Sequence, residues 1–141
     1  MAYAVKRVEE AEDYPYHGNY GTSSATYNRA LDVTSLTPHR LTQLLLEGAV
    51  TSTVQAIAAI EMEDDAGKMA SIERSILIVN SLRESLNMEK GGAIAENLEV
   101  VYLYARQEML RAVEENCAET LKVVVDYLAG ISDSWRAIAQ I

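Results

Sequence analysis

The 141-residue sequence has no phenylalanine, and its large aromatic side chains are one tryptophan and eight tyrosines, so aliphatic residues must build most of any core. It has a single cysteine, Cys117, which cannot close an internal disulfide. That excludes the small disulfide-stapled scaffold and fits a reducing compartment. Basic clusters are also missing, and the formal net charge is −9. Nucleic acid and anionic membrane both need positive charge to meet phosphate, so neither is an expected partner. Proline stops at Pro38, and His39 to Ile141 has none. A long stretch rich in Ala, Leu and Glu without a helix breaker points to an all-α body behind a differently built N-terminal segment. The length suits one domain, and ~150 residues bury roughly 68–70% of their unfolded surface, enough for a real core.

Catalytic and metal signatures are equally sparse. The sequence has no CxxC, no HExxH and no Gly-rich phosphate loop. Its two histidines, His17 and His39, precede or open the first helix, and no Glu-x-x-His pair supports a di-iron bundle. Glu61, Glu63, Asp64 and Asp65 crowd one turn and Glu114 with Glu115 another, without the spacing of a calcium loop. They read as solvated charge. Arg74, Arg83, Arg106, Arg111 and Arg136 are spread over three helices, mostly beside acids, as Arg111 is beside Glu108 and Glu115. Cys117 falls at a helix break and reads as a small packed residue. No catalytic residue, cofactor or metal is expected.

Five of the eight tyrosines (Tyr3, Tyr14, Tyr16, Tyr20, Tyr27) lie before His39. Residues 1–36 read as a flexible, Tyr-bearing N-terminal arm, and the absence of an apolar run in MAYAVKRVEEAEDY argues against a signal peptide. A cytoplasmic protein is expected. Residues 37–141 read as an antiparallel four-helix bundle. Thr37-Pro38 opens the first helix, which runs to about Met62. A second is expected from about Lys68 to Leu86, and Gly91-Gly92 forces a turn. The third starts near Ala93, with Ile94, Leu98, Val101, Ala105, Met109 and Ala112 on one face. After a break at 116–118, the last repeats Leu121, Val124, Leu128, Ile131, Trp135 and Ile138 as a bundle seam.

Apolar surface exceeds what such a core uses. The first helix carries two stripes, one with Leu41, Leu45, Ala49, Ala56 and Ile60, the other with Leu46, Val50, Val54 and Ile57. A helix apolar nearly all round is either central or partner-binding. Thr42, Gln43, Thr51, Ser52, Thr53 and Gln55 interrupt it, which argues against a membrane span. In the third helix, Tyr102 and Tyr104 cannot both point into one core.

These residues resemble the FliS family of flagellin-specific export chaperones. Pro38-His-Arg-Leu41-Thr-Gln-Leu44-Leu45-Leu46-Glu47-Gly48-Ala49 is similar to the family's helix start. Gly91-Gly92-Ala-Ile94-Ala95-Glu-Asn97-Leu98-Glu-Val-Val101-Tyr102-Leu-Tyr104 is close to its GG-x-I-A-x-N-L-x-x-L-Y-x-Y. Leu86-Asn-Met-Glu89 and Ser134-Trp135 also fit, so the likeness runs from about Tyr27 to the end. Leu46, Glu47, Gln107-Glu108 and Val113 depart from the family pattern. The resemblance implies a cytoplasmic, non-enzymatic chaperone whose hydrophobic grooves hold the disordered C-terminal segment of flagellin, which becomes helical on binding. That prevents premature polymerisation and aids secretion, with export-gate components as further partners and a monomer or weak dimer as the oligomeric state. The groove is assigned to Leu41, Leu44, Leu45 and Gly48 from the first helix and Asn97, Val101 and Tyr104 from the third, with Tyr27 covering it when empty. The rival readings are a self-associating helical adaptor and an all-α enzyme.

Overall fold

Helix caps mark the element boundaries in the computed structural model, which describes residues 37–139. The expected arm, residues 1–36 with Tyr27, lies outside the described residues. Thr37 is extended and its Oγ1 accepts the N–H of Arg40 at 3.0 Å, opening α1 (Pro38–Glu61) with Pro38 where no N–H is needed. α2 (Asp65–Glu84) begins ahead of the expected Lys68, because Asp64 accepts the N–H of Gly67 at 2.9 Å. Asp64 therefore caps a helix, and Asp65 occupies a first turn where the helix dipole favours an acid.

α3 (Met88–Glu115) differs more. Asn87 Oδ1 accepts the N–H of Lys90 at 2.9 Å and starts the helix before the glycine pair instead of after it. One turn later Gly92 takes φ 52°, ψ −129°, a conformation suited to glycine, and kinks the helix. A Cβ on Gly91 would stand 2.7 Å from that of Ala95, so the kink also brings backbone close to side chain. α3 ends on left-handed Asn116, whose N–H bonds to Ala112 O at 3.0 Å. α4 (Ala118–Ala139) follows after a two-residue link.

The four helices form an all-α up-down-up-down bundle in which α1 and α3 each pack on α2 and α4 and stand at opposite corners. The antiparallel order shows in the pairs that meet: Thr53 with Ser75, Lys68 with Asn116, Tyr104 with Tyr127, and His39 with Trp135. The core is aliphatic, with Leu45, Leu46, Ile78, Met109, Leu121 and Leu128 among its buried members. Several polar groups inside it find partners within the bundle. Thr53 Oγ1 donates to Ala49 O at 2.7 Å, and the Lys68 ammonium reaches Asn116 Oδ1 at 2.6 Å and Val113 O at 3.2 Å. α1 is long and apolar enough to cross a membrane, yet 56% of that apolar window is buried in the bundle. Its two stripes face two neighbours.

Candidate functional site

Among the described residues the surplus apolar surface lies on α3 and α4. The charged residues of α4 (Glu119, Lys122, Asp126, Asp133, Arg136) fall within roughly a 100° sector at 3.6 residues per turn. The adjoining outward flank carries Val123, Tyr127, Gly130, Ser134 and Ile138 and has no charge. Val123, Tyr127 and Ile138 are exposed, and a Cβ on Gly130 would meet nothing. Across the seam α3 turns Asn97, Val100 and Tyr104 to the surface. Tyr104 and Tyr127, 36% and 51% exposed, meet edge to face with ring centroids 5.9 Å apart. Such a pair adds about 0.5–1.5 kcal/mol while leaving ring surface open.

α3 and α4 are also the least closely packed of the four neighbouring pairs. At the far end of the seam the Arg111 guanidinium bonds Glu108 at 3.2 Å and Glu115 at 3.0 Å. Those carboxylates, Glu115 foremost, push the Arg111 pKa up, so the apolar strip ends in a fixed charge cluster. An uncharged strip edged by two exposed tyrosines suits an amphipathic helix laying its apolar face down. It offers no converging acid, base or nucleophile.

The residues expected to form one groove are not brought together. Leu45 is 1% exposed and belongs to the core, as does Leu44, while Leu41 is half-buried against it. Gly48 faces α2, where a Cβ would touch Ile78 Cδ1 at 3.4 Å, so its smallness serves helix packing. These four belong to α1, and Asn97, Val101 and Tyr104 to α3, which stand at opposite corners of the bundle among the described residues. Asn97 and Tyr104 are exposed and Val101 is half-buried. Tyr102, by contrast, is buried, and desolvation pushes its hydroxyl pKa up to about 12. Val123 and Tyr127 went unassigned because the seam periodicity of α4 drew attention to its buried face. The signal that finds them is the one-sided placement of its charges.

A pocket of about 440 Å³ opens where α1 begins and α4 ends, lined by Thr37, His39, Arg40, Gln43, Arg136 and Ile138. His39 stacks on Trp135 at 4.6 Å, and their backbone carbonyls take reciprocal hydrogen bonds, Trp135 Nε1 to His39 O at 2.9 Å and His39 Nε2 to Trp135 O at 3.1 Å. Arg136 is anchored to Glu47 at 2.9 Å and Asp133 at 3.1 Å. Gln43 donates to Ser132 Oγ at 2.9 Å and to Glu47 at 3.1 Å, but its buried Oε1 has no donor.

Residues 4–141 match the family described as "Flagellar protein FliS". The flagellar secretion chaperone FliS of Salmonella typhimurium is 34% identical over 108 residues, 76% of this chain and 80% of its own length. The flagellar secretion chaperone FliSB of Pseudomonas aeruginosa is 35% identical over 107 residues, 76% of this chain and 85% of its own. The Vibrio cholerae FliS chaperone is 29% identical over 106 residues, 75% and 78% of the two chains.

Proposed function

This chain belongs to the FliS family, and from that premise we propose that it is a cytoplasmic flagellar secretion chaperone that binds the C-terminal segment of flagellin along the α3–α4 seam. The observation that carries this reading is the uncharged flank of α4 facing the exposed tyrosine edge of α3. A flagellin segment that is unfolded when free would become helical on this strip, burying its apolar face. Coupled folding of this kind covers ~1,000–3,000 Å² and costs ~2–5 kcal/mol in ordering, so the complex is reversible at the export machinery. Masking the segment keeps flagellin from polymerising before secretion. Export-gate components then take over the client. The role requires no catalysis.

Titration calorimetry with a peptide of the flagellin C-terminal segment tests the assignment. Tyr104→Ala and Tyr127→Ala are each expected to weaken binding about tenfold or more, as truncated aromatic anchors do, with helical content by circular dichroism intact. Unchanged affinity in both variants would overturn the seam as the binding site.

A further inference from the structure

We propose that the pocket between the start of α1 and the end of α4 receives the terminal carboxylate of the partner helix that lies along α4. This inference rests on the flagellin-segment reading and gives that segment a direction. The uncharged flank of α4 leads to the pocket, because Ile138 ends the flank and lines the cavity. From Val123 to Ile138 the flank is about 22 Å long at 1.5 Å per residue, room for some four turns of a docked helix.

The pocket's polar groups match a chain terminus. Arg40 makes no ion pair among the described residues and presents a guanidinium fork. Arg136 uses part of its donor set on Glu47 and Asp133, which fix its orientation and leave further N–H groups. Neither of those acids lines the cavity. The positive N-terminal end of α1 and the negative C-terminal end of α4 meet at this pocket and oppose each other, so the arginines carry its preference for an anion.

Acceptors stand beside these donors. His39 Nε2 is committed to a carbonyl and must carry the proton there, which leaves Nδ1 of the neutral ring as an acceptor. Gln43 is 3% exposed, its amide N–H₂ is fully engaged, and its Oε1 lacks a donor. A buried acceptor left unmatched is costly, and a ligand N–H brought to it would relieve that cost. A peptide's last residue supplies both halves, a carboxylate for the arginines and a main-chain N–H for the acceptors. Its side chain has Ile138 to rest on.

The test compares two synthetic flagellin C-terminal peptides, one ending in the free carboxylate and one in the amide, titrated into the intact protein. The free acid is expected to bind about tenfold more tightly, in keeping with a charge-assisted hydrogen bond to arginine. Arg40→Gln, at an exposed position whose folding is checked by thermal melting, is expected to shrink that gap severalfold. Equal affinities of the two peptides for the unaltered protein overturn the pocket assignment and leave the chaperone reading standing. Binding of neither peptide overturns both.

Discussion

α1 and α3 both carry more apolar side chains than one core-facing stripe needs, and they stand at opposite corners of the same bundle. In α1 the surplus is covered: it packs closely on both neighbours, and Val54 is its only exposed large hydrophobic residue. In α3 the same surplus is open, with Met88, Ile94, Val100, Leu103, Tyr104 and Leu110 all at the surface. The difference comes from how the neighbours approach. α4 lies closely on α1 and loosely on α3, so the second stripe of α1 is largely covered within the chain while the Tyr104 side of α3 stays open. Apolar excess on a helix thus has two meanings, and packing decides between them.

Substitutions that separate stability from binding can break this contrast. The largest effect is expected at Leu45→Ala, which removes a fully buried side chain of α1 and should cost ~2–5 kcal/mol, read as a lower urea midpoint. Partner affinity per folded molecule should not change. If Leu45 instead contacts the client, affinity falls while stability barely moves, and the contrast between the two helices collapses.

Tyr102 and Tyr104 set the same contrast within one helix. Burial holds the folded Tyr102 pKa at about 12 against an ordinary value of 10.0, so its neutral form is favoured in the native state. With the folded value raised, the contribution is complete below pH 10 and is lost as pH climbs toward 12. About 2 kcal/mol of unfolding free energy is expected to disappear across that interval. Tyr102→Phe should flatten the loss and Tyr104→Phe should not. Equal pH profiles for both variants would show that Tyr102 is not the buried member.

The extent to which the sequence announces all this follows the range of the interactions involved. Thr37-Pro38 opens α1 because capping is a local affair, decided within four residues. The 3-4 spacing of Leu121, Val124 and Leu128 likewise reports their burial directly. Ile94 fits the periodic face of α3 yet is 72% exposed, because periodicity reports a face and not how far along the helix a neighbour covers it. The open apolar surface is harder to read. Which of two apolar helices is covered depends on the distance between helices, and no local pattern encodes that distance. The apolar run of α1 therefore does not announce that Leu45 is buried and that Gly48 packs toward α2.

The kink itself is testable. Gly92→Ala is expected to cost ~1–2 kcal/mol, since a Cβ there meets open space and the penalty comes from the backbone alone. A neutral result would mean that α3 straightens through residue 92 at no cost.

The smallest expected effect is the most discriminating. Gly130 lies mid-helix on the open flank of α4, and a methyl added there touches nothing within the chain. Gly130→Ala should therefore raise stability by about 0.5–1 kcal/mol, because glycine is a poor helix former. On an unused surface nothing else would change. On a surface where a partner helix approaches between Tyr127 and Ser134, the methyl keeps the two backbones apart, and affinity for the flagellin segment drops severalfold while the protein melts at a higher temperature. Opposite signs for stability and binding from one methyl group would mark α4, with α3, as the side of the bundle built to be covered. A gain in stability with affinity unchanged would place the client elsewhere.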